Sequence, residues 1–221
     1  MLKEANAIVE VAGEKLTLLG DKAIFWERKK MLIVADLHIG KTAHFRNNGI
    51  PVPQKVSRKN WENLHRIFDN TRPERVIFLG DLFHSVQNKE CETFKSWMSQ
   101  YSDITFDLVV GNHDILPHHF YNGLMQNVSE QLISSPFVFT HQPLEAVIGD
   151  YYNLSGHIHP AVRLKGAAKQ ALRVPCYFFG EKAGILPAFG AFTGLAIVPV
   201  TKKDKVFVVI DKKVIGIYAD S

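Results

Sequence analysis

The sequence predicts a mixed α/β fold of two packed sheets with helices outside them, and three observations predict it. Helical stretches alternate with short apolar strands through the first half of the chain, and then strands dominate. Two aromatic stripes recur at helical spacing, which marks helices that face a core. Five apolar strands each break off in a compact polar cluster, as strands do where a sheet presents a ligand site beyond its carboxyl ends.

In chain order, residues 7–19 and 23–35 read as strand pairs, with turns at Ala12-Gly13-Glu14 and around 27–30. Residues 54–69 read as a helix, because Trp61, Leu64 and Phe68 share a face and Pro73 follows its end. RVIFLGD (75–81) is a short apolar strand. Residues 89–101 read as a second helix, with Phe94, Trp97, Met98 and Tyr101 on one face and Glu90 and Glu92 in its first turn, where the helix dipole favours acids. ITFDLVVGNHD (104–114), PFVFTHQP (136–143) and YYNLSGHIHP (151–160) supply three more strands. The tail, 195–219, alternates strand and polar turn and reads as a meander.

The 221 residues suit one domain, 1–221, with no repeat or linker to divide it. No apolar run approaches a membrane helix, and the first residues are too polar for a signal peptide, so a cytoplasmic location with no membrane partner is expected. Two distant cysteines, Cys91 and Cys176, exclude a disulfide framework or a thiolate zinc site. The net charge of +4 is mild, but its distribution is uneven. Between Asp36 and Glu62 the only charged residues are Lys41, Arg46, Lys55, Arg58 and Lys59; between His159 and Glu181 they are Arg163, Lys165, Lys169 and Arg173. Both acid-free stretches leave polar clusters and are expected to line the mouth of a site, where they either hold a polyanion or are merely solvated loops.

Those clusters are Asp36-Leu37-His38, Gly80-Asp81-Leu82-Phe83-His84, Gly111-Asn112-His113-Asp114, His141, and Gly156-His157-Ile158-His159. Residues i and i+2 of an extended segment point to one side, so Asp36 with His38, and His157 with His159, are each expected to aim as a pair. Carboxylate and imidazole ligands without thiolate suit Mn²⁺, Fe or Zn²⁺, with Mn²⁺ preferred here. The ligands exceed the needs of one ion and fit two, about 3.5–4 Å apart, with Asp81 as the bridging carboxylate. His44, His65, His118 and His119 stand outside the clusters and read as ordinary core or surface histidines.

The order DxH, GDxx, GNHD, H, GHxH resembles the calcineurin-like metallophosphoesterase superfamily. That resemblance implies a four-layer α/β/β/α sandwich. It implies a first metal on Asp36, His38, Asp81 and His159, and a second on Asp81, Asn112, His141 and His157. It makes His113 the acid or electrostatic partner of the phosphate, with Asp114 orienting it; a turn residue accepting backbone N–H bonds is the alternative for Asp114. ADLHIGKTAHFRNNGIPVP, FLGDLFHS, GNHD, LSGHIHP and LPAFGAFTG are further similar to the ligase-associated DNA damage response endonucleases. That similarity implies a DNA phosphodiesterase of repair, partnered with a DNA ligase and a helicase. Leu195 departs from a glycine expected after FTG, and His84 stands where phosphoprotein phosphatases carry arginine, which argues against phosphoprotein substrates.

The expected chemistry is hydrolysis by a hydroxide bridging the two cations, which also neutralise the phosphoryl oxygens. His84, Lys41, Arg46, Arg163 and Lys165 are the expected substrate contacts. A small-substrate phosphatase or cyclic-nucleotide phosphodiesterase is the alternative, and a non-catalytic scaffold ranks below it because all the ligands and His113 are present. The apolar stretch 175–192 reads as core strands, with a partner or homodimer surface as its other reading.

Overall fold

In a computed structural model of the chain, the structure describes residues 6–47, 49, 54–84, 88–147, 149–165, 171–191 and 193–217. The first sheet holds seven strands in chain order: β1 (Ala7–Val11), β2 (Glu14–Leu19), β3 (Ala23–Trp26), β4 (Met31–Val34), β5 (Arg75–Leu79), β6 (Thr105–Val109) and β7 (Asn127–Ser129). β1 to β4 are antiparallel neighbours, as their tight turns require, and β4 to β7 are parallel. The crossovers carry α1 (Lys41–Asn47), α2 (Gln54–Thr71), α3 (Lys89–Met98) and α4 (His118–Tyr121). The second sheet contains β8 (Gln131–Ser134), β9 (Phe137–Thr140), β10 (Tyr152–Ser155), β11 (Pro160–Lys165), β12 (Ala171–Phe179), β13 (Ala183–Ile185), β14 (Ala196–Ile197), β15 (Lys205–Ile210) and β16 (Lys213–Ile217).

Alternation along each strand decides the layers. Leu32, Val34, Val76 and Phe78 face Leu64, Phe68, Phe94 and Trp97, so the helices cover one face of the first sheet. Ile33, Ile77 and Leu79 point the other way, onto Phe137, Phe139, Leu154, Tyr177 and Phe179 of the second sheet. The Tyr177 hydroxyl crosses the interface to the carbonyls of Leu19 (2.7 Å) and Ala23 (2.9 Å). The expected sandwich of two packed mixed sheets is present. Among the described residues its helical layer lies on the first sheet only, and Val162, Val174, Cys176, Val206 and Val208 cluster on the outer face of the second.

Two expectations change. The tail is not one meander: β15 and β16 form a hairpin, but β14 pairs in parallel with β11. The described parts of the basic stretch after His159, 160–165 and 171–175, are not loop but lie in the antiparallel pair β11–β12. The stretch 175–192 supplies core, as read from the sequence, with Cys176, Tyr177, Phe179, Leu186 and Phe189 buried. Among the described residues, no helix is long and apolar enough to cross a membrane.

Candidate metal centre

β4, β5 and β6 of the first sheet and β9 and β10 of the second end on the same rim, and each polar cluster is the loop that leaves one of them. The loops are stitched to each other through backbone bonds. Asp36 N donates to Gly80 O (3.2 Å), His38 N to Asp81 O (2.9 Å) and Gly156 N to His141 O (3.0 Å). Phe189 N and Gly190 N donate to the carbonyls of Ala35 (2.9 Å) and Asp36 (3.0 Å). Two glycines permit this closeness: a Cβ on Gly80 would overlap the His141 ring, and one on Gly156 would overlap the Asp36 carboxylate.

The paired residues do converge, but not because their segments are extended. Asp36 (φ 54), His38 (φ 50), Asp81 (φ 49), His157 (φ 65) and His159 (φ 52) all adopt the left-handed conformation. For residues with a Cβ this is uncommon and costs about 1–3 kcal/mol each; such strain gathers at functional sites. Repeated left-handed residues curl each loop, so its side chains turn back over the rim.

Two groups result, Asp36 with His38 and His159, and Asp36 with Asp81 and His141, each with its ligand atoms within 4.8 Å of one another. Asp36 is fully buried, and His38, Asp81 and His141 nearly so. His159 Nε2 lies 3.3 Å from Asp36 Oδ1. Asp81 faces both ways, Oδ2 3.7 Å from His38 Nε2 and Oδ1 3.4 Å from His141 Nε2. Asp36 approaches His141 only through Nδ1, at 4.0 Å. That nitrogen is committed, since Nδ1–H donates to Leu79 O at 2.9 Å. The ring therefore turns the Nε2 lone pair toward Asn112 Oδ1 (3.1 Å), His157 Nδ1 (3.1 Å) and Asp81.

The donor set fits divalent cations. Acceptor atoms this close repel unless positive charge lies among them. Both ring nitrogens of His38 are buried with no hydrogen-bond partner, a costly state for a polar group. Burial, reinforced by Lys41, His159, His84 and His113, lowers the His38 pKa to about 2. The ring is neutral, the form in which an imidazole could hold a cation, and its approach to Asp81 is no salt bridge. Burial first, then His141, also lowers the pKa of His157.

His113 is half-buried above this floor. Its backbone N–H donates to Asp81 Oδ1 (2.9 Å), and its ring lies 5.4 Å from that of His38 and stacks on His84 at 5.0 Å. Asp114 takes the turn role rather than the orienting one: its oxygens accept from Gly111 N (2.9 Å) and Phe83 N (3.1 Å), tying two ligand loops together. Burial raises its pKa to about 6 against those bonds. Lys41 opens α1 close enough to Asp81 and Asp36 for their charges to act on it, although burial lowers its pKa overall. Arg46 is no free phosphate contact, because it pairs with Glu90 at 3.5 Å. Glu90 also accepts from Gly40 N and Thr42, so this group fastens α1 to α3. Arg163 stands exposed on β11, and the Lys165 side chain lies outside the described residues. Of the histidines set aside, His65 accepts from Trp97 Nε1 (3.3 Å) and His119 is exposed. The side chains of His44 and His118, and that of Lys55, are outside the described residues.

Lys22 carried no signal in the sequence. Its half-buried side chain donates to Ala188 O (2.5 Å) and Gly190 O (3.4 Å), latching the segment that braces Asp36. This gives LPAFG, conspicuous in the sequence without an assigned role, a structural purpose.

The calcineurin-like phosphoesterase family model matches residues 29–175, which span every ligand loop. The chain belongs to that family. The family's phosphoester hydrolysis and its use of divalent metals accord with the donor set. The crystal structure of the Pseudomonas putida nuclease MPE is similar over 96% of this chain and 100% of that one, with 28% identity and a TM-score of 0.79. YfcE, a phosphoesterase from E. coli, aligns over 86% of this chain and 99% of that one, with 12% identity and a TM-score of 0.44. No curated protein matches the chain.

Proposed function

We propose that the protein is a two-metal phosphodiesterase that cleaves DNA. The observation that carries this is the Asp81 carboxylate, whose two oxygens reach into two halves of one open-faced ligand cluster. One half would be Asp36, His38, Asp81 and His159, and the other Asp81, Asn112, His141 and His157. Mn²⁺ is the preferred ion for this oxygen and imidazole set. Bound there, two cations would neutralise the phosphoryl oxygens and acidify water as the nucleophile.

The chain supplies the rest. His113, anchored by its amide on Asp81 and stacked on His84, hydrogen-bonds a phosphoryl oxygen or protonates the leaving oxygen; such help is worth about 10²–10⁴-fold. The cavity behind His38, lined by Leu37, Thr42, Asn60, Trp61 and Glu90, holds about 30 Å³, room for one water and not for a nucleotide. The substrate therefore lies across the outer rim, where Asn112 is exposed and His113, His157 and His159 are half-buried. An open rim suits a polymer. The similarity to a nuclease over the whole chain supports DNA as that polymer. The motif resemblance supports a place in repair, beside a ligase and a helicase, and the polar first residues support a cytoplasmic one.

The test is Mn²⁺-dependent hydrolysis of bis(p-nitrophenyl) phosphate against the monoester, with His113→Ala in parallel. Diester turnover that EDTA abolishes and the variant lowers at least about 100-fold is expected. Monoester preference would make the protein a phosphatase, and Mn²⁺ binding without turnover would make it a scaffold.

A further inference from the structure

The second sheet carries an arm that the metal centre does not use. β13 runs parallel to β10, and β12 pairs with it only at Phe178 and Phe179, level with the end of β10. From there β12 continues back through residues 177 to 171, past the carboxyl end of β10 and toward the metal loops, with β11 as its antiparallel partner. β11 begins directly after His159, so the arm grows out of the centre itself.

Arg163 on β11 and Arg173 on β12 are directly opposed. Directly opposed residues of an antiparallel pair share a face, and that face can be identified. Val162, Val174 and Cys176 pack on the outer side of the sheet, whereas Tyr177 and Phe179 point inward to the first sheet. By alternation, Arg173 and Arg163 lie on the inner face, extended beyond the core. Both are exposed, and among the described residues neither has a hydrogen bond or ion pair. Like charges placed opposite each other destabilise a strand pair. Two unneutralised guanidiniums side by side present paired forks to an anion. Four strand rises separate Arg163 from His159, roughly 13 Å. That distance exceeds a single phosphodiester and corresponds to several phosphates along a DNA strand.

We propose that Arg163 and Arg173 form a phosphate clamp that grips the backbone of a DNA strand several phosphates from the one held at the metal centre. This rests on the phosphodiesterase reading and assigns the class of substrate that the centre receives. The clamp reads charge, so it is indifferent to base sequence.

Fluorescein-labelled (dT)20 and a labelled dinucleotide, titrated onto the full-length protein in EDTA to prevent cleavage, test it. Arg163→Gln/Arg173→Gln should weaken (dT)20 binding about tenfold and flatten the dependence of log K on log salt by about 1.4, at roughly 0.7 per single-strand phosphate contact. The dinucleotide, too short to reach the arm, should lose nothing comparable. Arg163→Lys/Arg173→Lys should keep the salt slope and part of the affinity. Leu172→Gln, on the outer face, should leave (dT)20 binding unchanged. A retained Mn²⁺-induced rise in melting temperature shows that the glutamine variant is folded. Unchanged (dT)20 affinity and slope in that variant would overturn the clamp, as would equal losses for both ligands. Failure of the wild type to hydrolyse bis(p-nitrophenyl) phosphate would overturn the phosphodiesterase reading instead.

Discussion

His38 sets a condition on the folded protein. Its imidazole is buried, neutral and unbonded at both nitrogens, so without metal it costs stability. His38→Ala should therefore leave the chain melting no more than slightly below wild type in EDTA, even though a buried side chain has been removed. The same change should remove most of the stabilisation by Mn²⁺, which for wild type is about 2.7 kcal/mol at a hundredfold excess over Kd. Thermal unfolding with and without Mn²⁺ checks both halves; a large loss in EDTA would mean that the ring is held by packing alone. Asp114 makes the opposite case. Asp114→Ala strands the buried N–H groups of Gly111 and Phe83, at about 1–3 kcal/mol each, and should lower stability in urea unfolding with or without metal. At this scale the candidate ligands were legible in the sequence, because residue type and order carry the chemistry. Their conformation was not. Five left-handed ligands cannot be inferred from an i, i+2 spacing that fits a strand equally well, although Asp and His tolerate that region better than most residues.

Among elements, the latch between the β2–β3 turn and the LPAFG segment has a testable pH dependence. Burial is the main reason that the Lys22 pKa falls to about 8, with Lys59 adding to it and Asp21 opposing it. In the unfolded chain the amine titrates near 10.4. Between these values the unfolded state binds more protons, so stability rises with pH in that window. Below pH 8 both states are charged and the cost of enclosing the ammonium is present in full. Wild type should thus gain stability relative to Lys22→Met between pH 8 and 10, while the neutral amine still donates to Ala188 O. A pH-independent difference in urea unfolding would show the amine to be solvated. The β1–β6 order and α2 and α3 were readable because apolar period and turn chemistry agreed there. β11 was hidden by its charges. Val162, Arg163, Leu164 and Lys165 alternate as a half-buried strand should, yet a basic stretch next to a site also reads as loop.

On the scale of the whole molecule, the candidate centre is a joint between the two sheets. Asp36, His38, Asp81 and Asn112 come from the first sheet, and His141, His157 and His159 from the second. Without metal the joint already has direct bonds. His141 Nδ1 donates across to Leu79 O, and His157 N donates to Asp36 Oδ2 at 3.0 Å. Each proposed half-site includes ligands from both sheets, so cations would add links where the sandwich is open at its rim. A cross-link confined to the native state stabilises both partners together. Amide hydrogen exchange should then slow on adding Mn²⁺ in the loops after β4 and β5 and, equally, in those after β9 and β10, with the β15–β16 hairpin as a distant reference. His159→Ala removes a second-sheet ligand and should reduce the protection of the first-sheet loop at Asp36 as well as its own. If protection in that variant fell only around residues 156–160, the two sheets would not be joined through metal. The centre would then be a first-sheet site that the second sheet merely covers.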